Sequence, residues 1–104
     1  MAWLILVASG AFEAVWAVAL GKSEGLTRLW PSVMFVIALV ISMGGLAWAM
    51  RELPLGTAYA VWVGVGATLT VAYGIIFDGD PVTPLRMLFL ALIVGGIVGL
   101  KALA

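Results

Sequence analysis

Glu13 is the one acid inside the apolar run from Trp3 to Gly21, and the 104-residue chain offers it no histidine or cysteine as a chemical partner. An ionised carboxylate near the centre of a bilayer costs at least ~2.5 kcal/mol, so it has to be protonated, paired with a cation or hydrated. Each of those states is a kind of chemistry: a proton carrier, a cation site or a wet cavity. The plainer alternative is a neutral carboxylic acid hydrogen-bonded to a neighbouring helix. Without Cys or His there is no thiolate nucleophile, no Cys/His metal site and no imidazole relay. One intramembrane acid does not make a nucleophile-and-base set either. The expectation is no enzyme, no cofactor and no metal.

On a helix, Ser9, Gly10, Trp16 and Ala17 are the i−4, i−3, i+3 and i+4 neighbours of Glu13. The small residues are expected to leave room for a ligand, and the Trp16 indole to give it a flat π surface. Further along, Tyr59, Trp62 and Gly66 fall at i, i+3 and i+7, a face carrying aromatic polar tips. Such rings hold organic cations with roughly 2 kcal/mol or more when desolvated. Ser42 offers a hydroxyl that either donates to Glu13 or bonds back to its own helix. The expected site is therefore Glu13 for substrate and proton, in a cavity lined by Gly10, Trp16, Ser42, Tyr59 and Trp62. A cation entering between two carboxylates favours their ionised form and expels protons, and arriving protons expel the cation. Such exclusive occupancy is the minimum requirement for antiport, and the coupled pair titrates as a unit.

The elements that must position these groups follow from composition. The chain is 65% hydrophobic and 10% charged, with mean hydropathy +1.27, whereas soluble domains carry about 25% charge. It divides into four apolar runs near the roughly 20 residues a transmembrane helix needs. The expected fold is one all-α membrane domain over residues 1–104, with helices at about 3–21, 31–50, 56–77 and 85–103. The first run lacks a basic leader region and carries an acid, so it is read as retained. Five Lys and Arg balance five Asp and Glu, leaving no basic field for nucleic acid.

Pro31 suits the first turn of helix 2, where a missing N–H is harmless. Ala38, Ser42, Gly45 and Ala49 then form one small-residue face. Arg51-Glu52-Leu53-Pro54 makes a tight connection at the water boundary, so helices 2 and 3 are expected to be antiparallel neighbours. Helix 3 carries a second stripe, Gly56, Ala60, Gly64 and Ala67, and a bend is expected at Gly64 and Gly66. Asp78-Gly79-Asp80-Pro81 reads as a hydrated turn, lacking the further ligands of a calcium loop. In helix 4, Ala91, Gly95 and Gly99 recur every four residues, a pattern of close helix association that fits another subunit. Trp3, Trp30 and Trp48, near helix ends, suit the lipid headgroup belt.

Cytoplasmic loops normally carry the Lys/Arg excess. Here Lys22, Arg28 and Arg86 stand on one side and Arg51 and Lys101 on the other. Three against two is nearly a tie, which points to insertion in both orientations. Two opposed copies would build from two chains the inverted repeat that larger transporters encode in one, and would bring two Glu13 carboxylates to one midplane site.

Over its whole length the chain resembles a small multidrug resistance transporter. The likeness rests on the lone acid in helix 1, the segment Arg51-Glu52-Leu53-Pro54-Leu55-Gly56-Thr57-Ala58-Tyr59-Ala60-Val61-Trp62-Val63-Gly64-Val65-Gly66-Ala67 entering helix 3, and the glycine-bearing helix 4. Trp16 and the loop Glu24-Gly25-Leu26-Thr27-Arg28-Leu29-Trp30-Pro31-Ser32 are more similar to the guanidinium-exporting subtype than to the quaternary-ammonium subtype, which has a helix 2 aromatic around the position of Leu39. The resemblance implies an antiparallel homodimer in a bacterial inner membrane that exchanges guanidinium or small guanidinyl cations for protons. It also implies Glu13 as the shared site, Ser42 as its hydrogen-bonding neighbour, Trp16, Tyr59 and Trp62 as cavity residues, and helix 4 as the dimerisation helix. Two competing readings keep the fold: a multidrug exporter of quaternary ammonium or aromatic cations, and a non-transporting membrane subunit in which Glu13 merely holds helices together.

Overall fold

The computed structural model describes residues 1–103, and among them there are four helices: α1 (Ala2–Lys22), α2 (Leu29–Ala49), α3 (Leu55–Phe77) and α4 (Pro84–Leu103). Each is long and apolar enough to cross a membrane, with mean hydropathy of 1.8 to 2.1. In hydrocarbon, every backbone N–H and C=O must be satisfied inside the chain, which leaves the helix as the state open to these runs. The boundaries match the expected ones to within two residues. The largest difference is at α2, which begins at Leu29, so that Pro31 is its third residue. None of the first-turn amides has an intrahelical acceptor, so proline is tolerated there as well.

The connections are short and closed by local hydrogen bonds. After α1, Glu24, Gly25 and Leu26 all take left-handed backbone, with φ of 51°, 74° and 69°. The buried Ser23 holds this turn: its hydroxyl donates to the Leu20 carbonyl at 2.7 Å and accepts the Leu26 amide at 3.0 Å. Between α2 and α3 the amides of Glu52 and Leu53 return to the Ala49 carbonyl, at 3.1 and 3.0 Å. Before α4, the Thr83 hydroxyl accepts the Arg86 amide at 3.1 Å, and Pro84 takes the first helical position.

The helices alternate in direction, and two lysine–aromatic contacts mark the two boundaries. Lys22, ending α1, lies 5.5 Å from the ring centroid of Tyr73 in late α3. Lys101, ending α4, lies 5.8 Å from the Trp3 ring at the start of α1. Helix α1 is the centre of the bundle, flanked by α2 and α3, while the α4 backbone approaches only α3. The core is small: Leu6, Leu46, Ala49, Ala58, Val61 and Trp62. No α4 residue is buried.

Small residues decide which helix faces come together. The Ser9 side chain sits on Gly45, where an added Cβ would lie 2.9 Å from the Ser9 Cβ. Gly10 faces Val65, with the corresponding separation 2.8 Å. Gly64 receives Ile97, 3.0 Å to its Cγ1, and is the point where α4 meets α3. Such contacts let backbones approach closely, which in lipid replaces the hydrophobic driving force. The expected face of α2 is the one that meets α1, with Ala38, Ser42 and Ala49 buried along it.

Candidate functional site

Glu13 lies midway along α1 and points at α3. Its carboxyl rests against the Cα of Gly66, and an added Cβ there would fall on the carboxyl carbon. Within the chain Glu13 Oε2 is buried and has no hydrogen-bond partner. One turn further, the Trp16 indole N–H is also buried and unpartnered. Its ring meets Phe35 of α2 edge-on, with centroids 5.9 Å apart. The site thus pairs an acceptor lacking a donor with a donor lacking an acceptor, on one face of one helix.

One turn before Glu13, a chain of hydrogen bonds ties three helices together. The Trp62 indole donates to Ser42 Oγ at 3.1 Å, and Ser42 Oγ donates to the Ser9 carbonyl at 2.7 Å. Trp62 is 6% exposed and Ser42 fully buried. The Ser42 hydroxyl therefore does neither of the two things the sequence offered. It reaches across to the backbone of α1, one turn from Glu13, instead of to the carboxylate or to its own helix. Hydroxyls that do bond back near the site are Ser9, to the Ile5 carbonyl, and Thr70, to the Gly66 carbonyl, each at 2.7 Å.

Two further expectations separate in the structure. Tyr59 and Trp62 share a face of α3, with ring centroids 5.9 Å apart, but Tyr59 is 54% exposed while Trp62 is buried. Of the two, Trp62 belongs to the interior of the single chain and Tyr59 to its surface. Gly10 is buried, and the space beside it is filled by Val65 and the Trp62 carbonyl. Within one chain the small residues before Glu13 therefore serve helix approach and leave no ligand space. Helix α3 runs unbroken from Leu55 to Phe77 through Gly64 and Gly66.

The small-residue stripe of α4 points the other way from its contacts. Ile93 and Ile97 reach Gly64, whereas Gly95 and Gly99 meet no atom within 4 Å of an added Cβ, and Ala91 is exposed. At 100° per residue, Ala91, Gly95 and Gly99 fall on the side of α4 opposite Ile93 and Ile97. Gly45 and Val65 are the residues that sequence reasoning did not connect with the site. The four- and three-residue spacing of small residues on α2 marked Gly45 as an interface position, and nothing in the sequence marked Val65.

Residues 1–93 match the family described as Small Multidrug Resistance protein. Over 101 residues the chain is 54% identical to a protein named "Guanidinium exporter" from Escherichia coli strain K12, covering 97% of this chain and 96% of that one. Proteins of the same name from Citrobacter freundii and Salmonella typhimurium are 48% identical over the same shares. With its four spans, the protein is a multi-pass protein of the bacterial inner membrane. A family match over nearly the whole length, joined to relatives about half identical from end to end, makes this chain a member of the small multidrug resistance family.

Proposed function

We propose that the protein exports guanidinium and small guanidinyl cations in exchange for protons, as an antiparallel homodimer whose two Glu13 carboxylates form one site. The observation that carries this reading is the Glu13 carboxyl itself: a buried, unpartnered acceptor oxygen in the middle of a membrane span. Guanidinium presents N–H donors in a planar fork that suits carboxylates, and it keeps its charge below about pH 12. It cannot shed that charge to cross lipid, so it needs a carrier. The names of the relatives supply the same substrate.

Exchange follows from charge. An ionised Glu13 pair binds the cation, and a protonated pair releases it, so cation and proton alternate at the same oxygens. Trp16, Tyr59 and Trp62 offer cation–π faces to the bound ion once a second chain closes the site. The Trp62–Ser42–Ser9 hydrogen bonds fix the helices around it. Support for the dimer comes from α4, whose Gly95 and Gly99 face away from their own chain. The near tie in boundary charge supports opposed insertion. Alternating access in such a dimer needs α3 to bend differently in the two copies, at Gly64 and Gly66, and then to exchange.

The test is guanidinium uptake into proteoliposomes under an imposed pH gradient. The native protein is expected to accumulate guanidinium only when the gradient is present, and Glu13→Gln to lose both binding and coupling. Gradient-driven uptake by Glu13→Gln, or native uptake indifferent to pH, would overturn the proposal.

A further inference from the structure

At the membrane boundary formed by the ends of α1 and α3, Lys22 stands between two hollows that differ in chemistry. Toward α2 lies a cleft of about 540 Å³, walled by Ala14, Val18, Pro31, Met34 and Leu69, with Trp30 at its mouth. Apart from Lys22 and Tyr73 at its boundary end, every residue lining it is apolar. The cleft runs along α1 from Ala14 to Lys22, about 12 Å along the helix axis, so it opens at the surface and descends toward the midplane. On the other side lies a hollow of about 310 Å³, reached past Lys22, Tyr73 and Val18, which also border the cleft. Its far wall carries Thr70, Asp78 and Asp80. The Lys22 ammonium is held at this junction over the Tyr73 ring, and the Asp80 carboxylate packs on Gly74.

In order along the boundary, then, come an apolar cleft, the Lys22 ammonium with Arg28 near enough for the two charges to repel, and two carboxylates. We propose that this is a binding site for one phospholipid with a primary-amine headgroup, a phosphatidylethanolamine. One acyl chain fills the α1–α2–α3 cleft, the phosphate pairs with Lys22, and the headgroup ammonium donates to Asp78 and Asp80. The complementarity discriminates among lipids. A choline headgroup has no N–H to give the carboxylates, and an uncharged glycerol headgroup brings the net negative charge of its phosphate against two acids with no cation of its own. Basic pockets between transmembrane helices are a recurrent form of lipid headgroup recognition, and here the added carboxylates turn selectivity toward the zwitterion. The site uses no residue of the Glu13 cavity, so it stands apart from the proposed transport activity.

The test reconstitutes the full-length protein in nanodiscs of equal phosphatidylethanolamine, phosphatidylglycerol and phosphatidylcholine, then counts retained lipids by native mass spectrometry after extraction into detergent. Phosphatidylethanolamine is expected to be retained at least about tenfold over either competitor, equivalent to about 1.4 kcal/mol. Val15→Trp, which plugs the cleft from its half-exposed lining, is expected to abolish retention while the protein elutes as before. Lys22→Gln is expected to reduce phosphatidylethanolamine to the phosphatidylcholine level. The double change Asp78→Asn, Asp80→Asn is expected to raise phosphatidylglycerol to parity. Equal retention of all three lipids by the native protein, or undiminished phosphatidylethanolamine on Val15→Trp, would overturn the assignment.

Discussion

Gly66 and Glu13 are in direct contact across the α1–α3 interface: a Cβ added to Gly66 would lie 2.8 Å from the Glu13 Cβ and on the carboxyl itself. The glycine is a wall of the acid's pocket, and its missing side chain sets where the carboxylate stands. Gly66→Ala is expected to leave the helices intact and push the carboxyl off its position. Guanidinium uptake by proteoliposomes should fall about tenfold or more, as misplacement of a reacting group by an ångström does elsewhere. Native-like uptake by this variant would remove Gly66 from the site.

The Trp62–Ser42–Ser9 chain makes a prediction with an internal order. Trp62→Phe removes a donor and leaves Ser42 still donating to the Ser9 carbonyl, a loss of about 1 kcal/mol. Ser42→Ala strands the buried Trp62 N–H, which costs about 1–3 kcal/mol. The serine change is therefore expected to be the worse of the two, although it removes fewer atoms. A double-mutant cycle followed by unfolding in mixed detergent measures this, and a larger loss for Trp62→Phe would refute the order.

Gly45 and Ser9 predict a rescue. Gly45→Ala places a methyl on the Ser9 side chain, and overpacking of this kind costs roughly 1–3 kcal/mol. Adding Ser9→Gly clears both clashing atoms, and the next neighbour, Ile5 Cγ2, lies at an ordinary 3.7 Å. The double variant is expected to recover most of the stability lost by Gly45→Ala. If it unfolds as easily as the single variant, α1 and α2 do not meet at this point.

How much of this was legible beforehand differs by kind of residue. Four helices and the importance of Glu13 were readable, because lipid forbids other backbone states and makes a lone acid conspicuous. The small residues around Glu13 were visible too, but their use was not. Ser9 and Gly10 look like ligand space in the sequence, whereas here they admit Gly45 and Val65. Spacing places residues on a common helix face without fixing which part of that face turns inward. This is why Tyr59 and Trp62 read as equals and yet differ in burial. The Ser42 hydrogen bond was hidden for another reason: its acceptor is a backbone carbonyl, which every residue possesses.

The pH dependence of binding has a definite sign. Guanidinium stays charged across the working range, so all titration belongs to the acid, and only the ionised acid attracts the cation. Affinity is expected to rise with pH and level off once the Glu13 pair is ionised, changing by up to about tenfold per pH unit for each proton displaced. Isothermal titration in buffers of different ionisation heat counts those protons. Affinity that falls as pH rises, or no proton release, is incompatible with a shared carboxylate site.

Two glycines on neighbouring helices, Gly64 and Gly95, separate packing within the chain from packing between chains. Gly64 receives Ile97 from the same chain, so Gly64→Leu drives a side chain into the α3–α4 interface that holds α4. Loss of fold is expected there, seen as early unfolding. A Cβ added at Gly95 meets no atom within 4 Å, so Gly95→Leu leaves the single bundle unstrained and even lengthens its apolar surface. If α4 pairs with α4 of a second copy through the Ala91–Gly95–Gly99 face, the same leucine prevents close approach of two backbones, the contact that small residues make favourable in lipid. The expected result is normal helix content and unfolding of the chain, with energy transfer between differently labelled copies in liposomes reduced about tenfold, and guanidinium uptake reduced with it. Undiminished energy transfer would show that the copies meet on another face. Undiminished uptake with energy transfer lost would mean that one chain suffices, and the proposed two-carboxylate site would then be wrong.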